Sequence, residues 1–301
     1  MLDRNWREQT YVSFDTETTG RYPLTAEICE LSGVKWRDGK EVGTFSTLLK
    51  PSKPMTIDNI QIHGISNQMV ENAPLIKDKI AEFHQFVQGC VLIAHHAPFD
   101  LGFVAIEFEK GGLNLPQLPI ICSSLLARKT IAETPDHRLQ TLVQHFKIDG
   151  GQAHRALDDA RACLHVVLKC LQRLEDNLNG VAHTGQMSFD AEPKTLTLQA
   201  IFERQGGPLS WDRFSMNALK STPVGQALID ATISQSNFEM TYDGGSNPGA
   251  ARVVRSDGIV RSLDGDFIAA YELDNRGQPY DRRSKRFYLD KISAVNFHKD
   301  F

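Results

Sequence analysis

Three extended segments fall within the first 49 residues, and they constrain the fold more than any other feature of the chain. Thr10 to Asp15, with Tyr11, Val12 and Phe14, reads as a strand that Gly20 closes off. Ile28 to Trp36 and Gly43 to Leu49 read as two more, joined by a turn at Asp38-Gly39-Lys40. Three strands in succession predict an antiparallel meander. The apolar period then lengthens. Ile80, Phe83 and Val87 space a helix over Lys77 to Val87. Cys90 to Ala94 is a short buried strand, and a helix over Leu101 to Lys110 stops at Gly111-Gly112. Further helices are expected over Leu139 to Phe146 and Ala156 to Leu174. Strands followed by alternating helices and a strand predict an α/β domain over residues 1–178.

Beyond Leu178 the character changes. Asn179-Gly180, Gly185 and Pro193 sit among small polar residues, so 179–221 reads as a linker. Thr222-Pro223 forms an N-cap and first-turn proline ahead of a helix through Val224, Ala227, Leu228 and Ala231. Short alternating segments follow at Phe238 to Tyr242, Arg252 to Arg255, Gly258 to Ser262, Phe267 to Leu273 and Arg286 to Asp290. They predict a small β-rich domain over 222–301.

Composition narrows the function classes. The formal net charge of −4 means that any contact with nucleic acid must rest on a local site. The five cysteines are odd in number and without CxxC spacing, which argues against a disulfide framework or a zinc site and for a reducing compartment. The charged start at Met1 to Arg7 does not resemble a signal peptide, and the apolar run at Val91 to Ala94 is too short to span a bilayer. The expectation is a cytoplasmic protein with no membrane partner.

Three acidic segments carry the chemistry. In Phe14-Asp15-Thr16-Glu17-Thr18-Thr19-Gly20, strand alternation puts Asp15 and Glu17 on one face. They read either as a frayed strand end in water or as ligands of a hard divalent cation. In His95-His96-Ala97-Pro98-Phe99-Asp100, Asp100 follows an apolar strand and reads alone as a helix N-cap. In His154-Arg155-Ala156-Leu157-Asp158-Asp159, a helical wheel puts Asp158 with Arg161, His165, Lys169 and Gln172 in solvent. Asp159 falls at the margin of the stripe formed by Leu157, Ala160, Leu164, Val167, Leu168 and Leu171. A carboxylate held against the protein body needs a partner.

Taken together and in this order, FDTETTG, AHHAPFDLGF and HRALDDA resemble the DnaQ-type exonucleases of the DEDDh group, from about Gln9 to Glu175. The resemblance implies a ribonuclease H-like mixed sheet flanked by helices. It implies a 3′→5′ exonuclease that releases nucleoside monophosphates, with Asp15, Glu17, Asp100 and Asp159 as the acidic set and His154 as the histidine. Two divalent ions, Mg²⁺ or Mn²⁺, serve such a hydrolysis. Asp15 is expected to bridge them, Glu17 and Asp159 to complete one site, and Asp100 to help hold the second. An imidazole with an ordinary pKa of about 6.5 suits His154 to take a proton from the attacking water. The resemblance also places His63, His95, Phe99 and the backbone around Thr16 and Thr18 near the substrate end. Phe99 stacks on a base or packs in the core. His96 stands where relatives often carry Asn, and Cys122-Ser123 where many have Asp-Thr.

From Thr222 onward, Phe238 to Tyr242, Phe267 to Tyr271 and Arg286 to Ile292 resemble a WYL-type domain, a family with a small Sm- or SH3-like β-barrel. The run Asp281 to Arg286 either tracks phosphates or is a solvated loop. The FDTETTG form favours DNA over RNA; the expected substrate is a single-stranded DNA 3′ end, with proofreading, DNA repair and RNA trimming open as settings and a DNA polymerase or repair protein as the expected partner. An exoribonuclease of the same group and a non-catalytic nucleic-acid-binding protein stay as competing readings.

Overall fold

The computed structural model describes residues 2–117, 119–180 and 194–297. Two five-stranded sheets organise it. The first contains β1 (Tyr11–Thr18), β2 (Ile28–Arg37), β3 (Lys40–Leu48), β4 (Val91–Ala94) and β5 (Ile120–Cys122), in the order β3-β2-β1-β4-β5. The first three strands form the expected antiparallel meander; β4 and β5 add on in parallel. The sheet is therefore mixed, as in a ribonuclease H-like exonuclease fold.

Each face of this sheet carries a core, and the period of β1 decides which residues meet which helices. Val12 and Phe14 point to the face covered by the helices Ile76–Val87 and Pro98–Lys110, where they pack with Leu92, Phe83, Val104 and Phe108. Tyr11 points to the other face, with Ile93, Ile121, Val166 and Val167 under the helix Ala156–Leu178. By the same alternation Asp15 and Glu17 face the helix that carries Asp159, and Thr16 faces the helix that carries Asp100.

The expected linker, 179–221, lies partly outside the described residues, at 181–193. Its remainder is folded onto the first unit. Leu196, Leu198, Ile201 and Phe202 enter one core, and Leu209, Trp211 and Phe214 the other. Trp211 stacks on Phe14 with ring centroids 6.1 Å apart. Gln205 satisfies the edge of β5, donating to the Ile120 carbonyl at 3.1 Å and accepting from the Cys122 amide at 2.9 Å. Its polar head closes an edge that would otherwise present unpaired backbone.

The second sheet contains β6 (Asn237–Tyr242), β7 (Ala250–Val260), β8 (Phe267–Glu272), β9 (Lys285–Tyr288) and β10 (Ile292–Asn296), ordered β10-β6-β7-β8-β9 and antiparallel throughout. The helix Pro223–Ser234 packs Leu228 and Ile229 against Phe238, Met240, Val254, Ile259 and Ile268. The pair of strands expected at Arg252 to Arg255 and Gly258 to Ser262 is the single strand β7. Asp257-Gly258 looks like a turn in sequence but is a bulge, where the register shifts between Ser256 and Gly258. Residues 298–301 of the expected C-terminal domain lie outside the described residues. Ile106, from the helix Pro98–Lys110, and Leu24, from the segment between β1 and β2, pack into this second core. Among the described residues no helix is long and apolar enough to cross a membrane.

Candidate active site

The acidic residues from the three segments meet at the end of β1. Asp15 and Glu17 lie there, and Glu17 is paired in register with Glu30 of β2. Asp100, 2% exposed, sits in the first turn of the helix Pro98–Lys110. Its Oδ1 accepts from the Thr16 amide at 3.0 Å and the Thr16 hydroxyl at 2.7 Å. Those two bonds tie the helix to β1. Asp159, 7% exposed, sits in the first turn of the helix Ala156–Leu178. It accepts from the His154 amide at 2.8 Å and from Gln140 at 3.3 Å. One potential ligand atom from each of Glu17, His154 and Asp159 lies within 4.8 Å of the others.

The mutual electrostatics follow from this crowding. Burial, reinforced by Asp100, Glu17, Asp159 and Glu30, holds the Asp15 carboxyl well above the usual range. Burial and the charges of Asp159, Glu30 and Asp100 push Glu17 up to about 8. Burial lifts Asp100 to about 7 against the opposing hydrogen bonds from Thr16. Asp159 is raised by burial too, although the His154 amide opposes the shift. Like charges this close disfavour joint ionisation. The nearby cation, Arg155, is committed elsewhere: its guanidinium binds Glu30 at 3.1 Å. The donor set is all carboxylate oxygen plus one imidazole, which fits a hard divalent cation such as Mg²⁺ or Mn²⁺. Glu17, His154 and Asp159 place ligand atoms close enough to share one such ion, and Asp15 and Asp100 lie within electrostatic reach of them.

His154 is exposed and sits on left-handed backbone, with φ 61°. A β-carbon side chain there is uncommon and marks a position fixed by its surroundings. The neighbouring turn is equally constrained. Gly151 has φ 59°, and a Cβ on it would lie 2.5 Å from the Asp158 Cγ. Asp158 stays outside the cluster, accepting from the Gln152 amide at 2.9 Å and facing Arg161 at 3.8 Å.

The second-tier residues divide. Thr16 is occupied by Asp100, and the Thr18 hydroxyl donates to the Gly20 carbonyl at 2.7 Å. His63 is 3% exposed; its Nδ1 accepts from the Ile65 amide at 3.0 Å, and burial lowers its pKa. His95 Nδ1 lies 2.7 Å from the Ser123 hydroxyl, and burial, with His96 and Arg128, pushes its pKa down to about 3. Its Nε2 is buried without a partner among the described residues. Ser123 thus has a place in the site as the anchor of His95, and it also accepts from the Cys163 thiol at 3.3 Å. Phe99 is 40% exposed with its ring against Phe103. In the run 281–286, Lys285 is held by Glu272 at 2.6 Å and Asp281 at 3.4 Å.

Glu30 is the functional residue that sequence reasoning missed. It is 2% exposed, binds Arg155 in bidentate fashion and accepts from the Ala156 amide at 3.1 Å. It thereby caps the helix that starts one residue after Arg155 and fixes the segment bearing His154. The signal available in sequence was an acidic residue in an otherwise apolar strand, Ile28 to Val34.

Comparison with known proteins agrees with the first unit. Residues 12–167 match the family RNase_T, described as Exonuclease. A DNA polymerase III PolC-type from Oceanobacillus iheyensis is 37% identical over 172 residues, covering 57% of this chain and 12% of that protein. Another, from Caldanaerobacter subterraneus subsp. tengcongensis, is 28% identical over 253 residues, 84% of this chain and 17% of its own length. The chain thus spans only a small part of these curated relatives. Among solved structures, exonuclease X in complex with 5′ overhanging duplex DNA is similar at 27% identity, covering 54% of this chain and 91% of that one, with a TM-score of 0.43. The nuclease domain of 3′hExo, a DEDDh family member bound to rAMP, is similar at 18% identity over 56% of this chain and 94% of that one, with a TM-score of 0.49. The family match ends at residue 167, so the WYL-type resemblance of residues 222–301 draws no support from it.

Proposed function

This chain belongs to the exonuclease family RNase_T, and from that premise we propose that it is a metal-dependent 3′→5′ exonuclease that removes nucleoside monophosphates from single-stranded DNA 3′ ends. The observation that carries the reading is the meeting of Asp15, Glu17, Asp100 and Asp159 with His154, from three distant segments, at one end of β1.

Under this reading the four carboxylates hold two divalent cations, Mg²⁺ or Mn²⁺. When bound, such ions offset the negative charge that builds on the phosphoryl oxygens. His154 accepts the proton of the attacking water at its imidazole, and the phosphodiester bond to the penultimate nucleotide breaks with its 3′ oxygen leaving. Glu30 and Arg155 hold the His154 segment in place. Thr16 keeps Asp100 oriented, while the backbone at Thr16 and Thr18, with His95, His63 and Phe99, lines the 3′ end. The PolC-type similarity supports DNA as substrate and a polymerase or repair setting. For residues 222–297, the strand order β10-β6-β7-β8-β9 with a 3₁₀ turn, Leu289–Lys291, before the last strand supports an Sm- or SH3-like unit.

The test is incubation of purified protein with Mg²⁺ or Mn²⁺ and a 3′-labelled single-stranded DNA, beside the RNA of the same sequence. Release of labelled mononucleotide from DNA, abolished by chelator and by Asp15→Ala, is the expected result. Binding without release contradicts the reading, and faster release from RNA reassigns the substrate.

A further inference from the structure

Three of the elements that meet at the acidic cluster also meet at their far ends. β1 holds Asp15 and Glu17 towards its finish and Tyr11 at its start. β2 holds Glu30 near its start and Trp36 near its finish. The helix Ala156–Leu178 holds Asp159 in its first turn and His165, Leu168 and Lys169 further along. Tyr11 and Trp36 are cross-strand partners, and both pack on the sheet face that this helix covers. With Trp6, the residues at this end line a cavity of about 360 Å³. Tyr11 and Asp15 stand roughly 13 Å apart along the strand, so the cavity is remote from the cluster. We infer that it is a binding site for a nucleoside monophosphate, separate from the catalytic end; the inference rests on the exonuclease reading for the source of that ligand, which the proposed reaction releases.

The lining matches that ligand group by group. Its size is that of a site for one small molecule. The Trp36 indole is half-buried in the wall, with its ring edge-to-face on His165 at a centroid distance of 5.7 Å. A flat base stacks on such a ring whatever its identity. The indole N–H of Trp36 and the ring nitrogens of His165 make no hydrogen bond among the described residues. Burial lowers the His165 pKa, which leaves a neutral imidazole with one donor and one acceptor for the edge of a base. Lys169 is exposed, and its ammonium has no hydrogen bond or ion pair among the described residues. The other charges nearby are committed. Arg7 lies 4.3 Å over the Trp6 ring and binds Glu175 at 2.5 Å, and Glu41 is held by Arg161 at 3.0 Å. A purely apolar occupant would cover the indole N–H, the imidazole and the ammonium without pairing them, at a cost in free energy. A flat ring with a polar edge and one anionic group pairs all three.

The experiment titrates the full chain by calorimetry in EDTA, where the proposed reaction is halted. The probes are 2′-deoxyadenosine 5′-monophosphate and, to remove the phosphate, deoxyadenosine. Wild type is expected to bind the monophosphate saturably at one site and deoxyadenosine about fivefold or more weakly. Trp36→Leu and Lys169→Glu should each weaken the monophosphate about fivefold or more, while Asp15→Asn leaves its affinity unchanged. Lys169 is exposed, so Lys169→Glu should unfold at the wild-type temperature and keeps the test decisive if Trp36→Leu does not fold. No saturable binding by wild type overturns the site, as does equal affinity for deoxyadenosine. Wild-type affinity in folded Lys169→Glu, or loss of binding in Asp15→Asn, overturns it too. Mononucleotide release from 3′-labelled DNA with Mg²⁺, measured separately, keeps the two ideas apart: release without monophosphate binding in EDTA sinks the cavity site alone, and such binding without release sinks the nuclease reading alone.

Discussion

Replacing Glu17 by glutamine removes one negative charge from the crowded end of β1 without changing its shape, and should stabilise the metal-free protein at high pH. Burial and three neighbouring carboxylates move this carboxyl from its ordinary 4.5 to about 8. A group whose folded pKa is raised contributes stability that is complete below the unfolded value and disappears as the pH passes the folded one. At about 1.4 kcal/mol per pH unit, Glu17 costs the folded protein up to about 5 kcal/mol above pH 8. Protons that move onto Asp15 or Asp100 when Glu17 ionises absorb part of this. We therefore expect Glu17→Gln to gain at least about 2 kcal/mol at pH 9 in EDTA, a rise of about 3 °C in Tm or more. The gain should shrink through pH 8 to 5 and be nearly gone by pH 4.5, where the folded carboxyl is protonated and the unfolded one half so. Saturating Mg²⁺ should reverse the order, because the wild type then gains a ligand contact that the variant lacks. Thermal unfolding by circular dichroism across pH 4.5–9 reads all of this. Parallel wild-type and variant curves, or a variant less stable at pH 9 in EDTA, would refute the reasoning.

Other outcomes follow from the same geometry. His154→Ala should lower kcat about 10²–10⁴-fold while Mg²⁺ still raises the Tm; loss of the Mg²⁺ effect would make His154 a ligand instead of a base. Arg155→Met leaves Glu30 buried and unpaired, so it should destabilise by about 3–5 kcal/mol in denaturant titration, and adding Glu30→Gln should recover part of that loss. Trp211→Ala, at a ring stacked on Phe14, should cost about 3–5 kcal/mol. A chain cut after residue 178 should likewise melt earlier than the full protein, and an unchanged Tm would mean that residues 194–214 contribute nothing to the first unit.

Legibility in the sequence tracked how local each signal is. The meander and the long helices were readable because their apolar periods, two in β1 and 3.6 around Leu164 and Leu171, are written in contiguous residues. The helical wheel separated Asp159 from Asp158, and the structure places the two as the wheel does, one buried and one paired with Arg161 at 3.8 Å. What stayed hidden depends on contacts between distant segments. Trp211 and Phe214 lie in one short helix of four residues, too brief to show a period, so their burial against the first sheet left no mark. Glu30 is acidic in an apolar strand, and its role appears only once Arg155 is beside it. Gly258 mimics a turn because a bulge and a turn favour the same residue, and the Tyr22 ring that requires it comes from 236 positions earlier. The left-handed backbone of His154 has no sequence signature at all.

The central claim is that Asp15, Glu17, Asp100 and Asp159 are tolerable neighbours because divalent cations neutralise them together. Calorimetric titration of the metal-free protein with Mn²⁺ at pH 7, in buffers of different ionisation enthalpy, tests it most directly. The account predicts two ions bound with release of protons, since carboxyls held near 7 and 8 must ionise to bind them, and loss of that binding in Asp15→Asn. Binding without proton release, or the same titration in the variant, would contradict it.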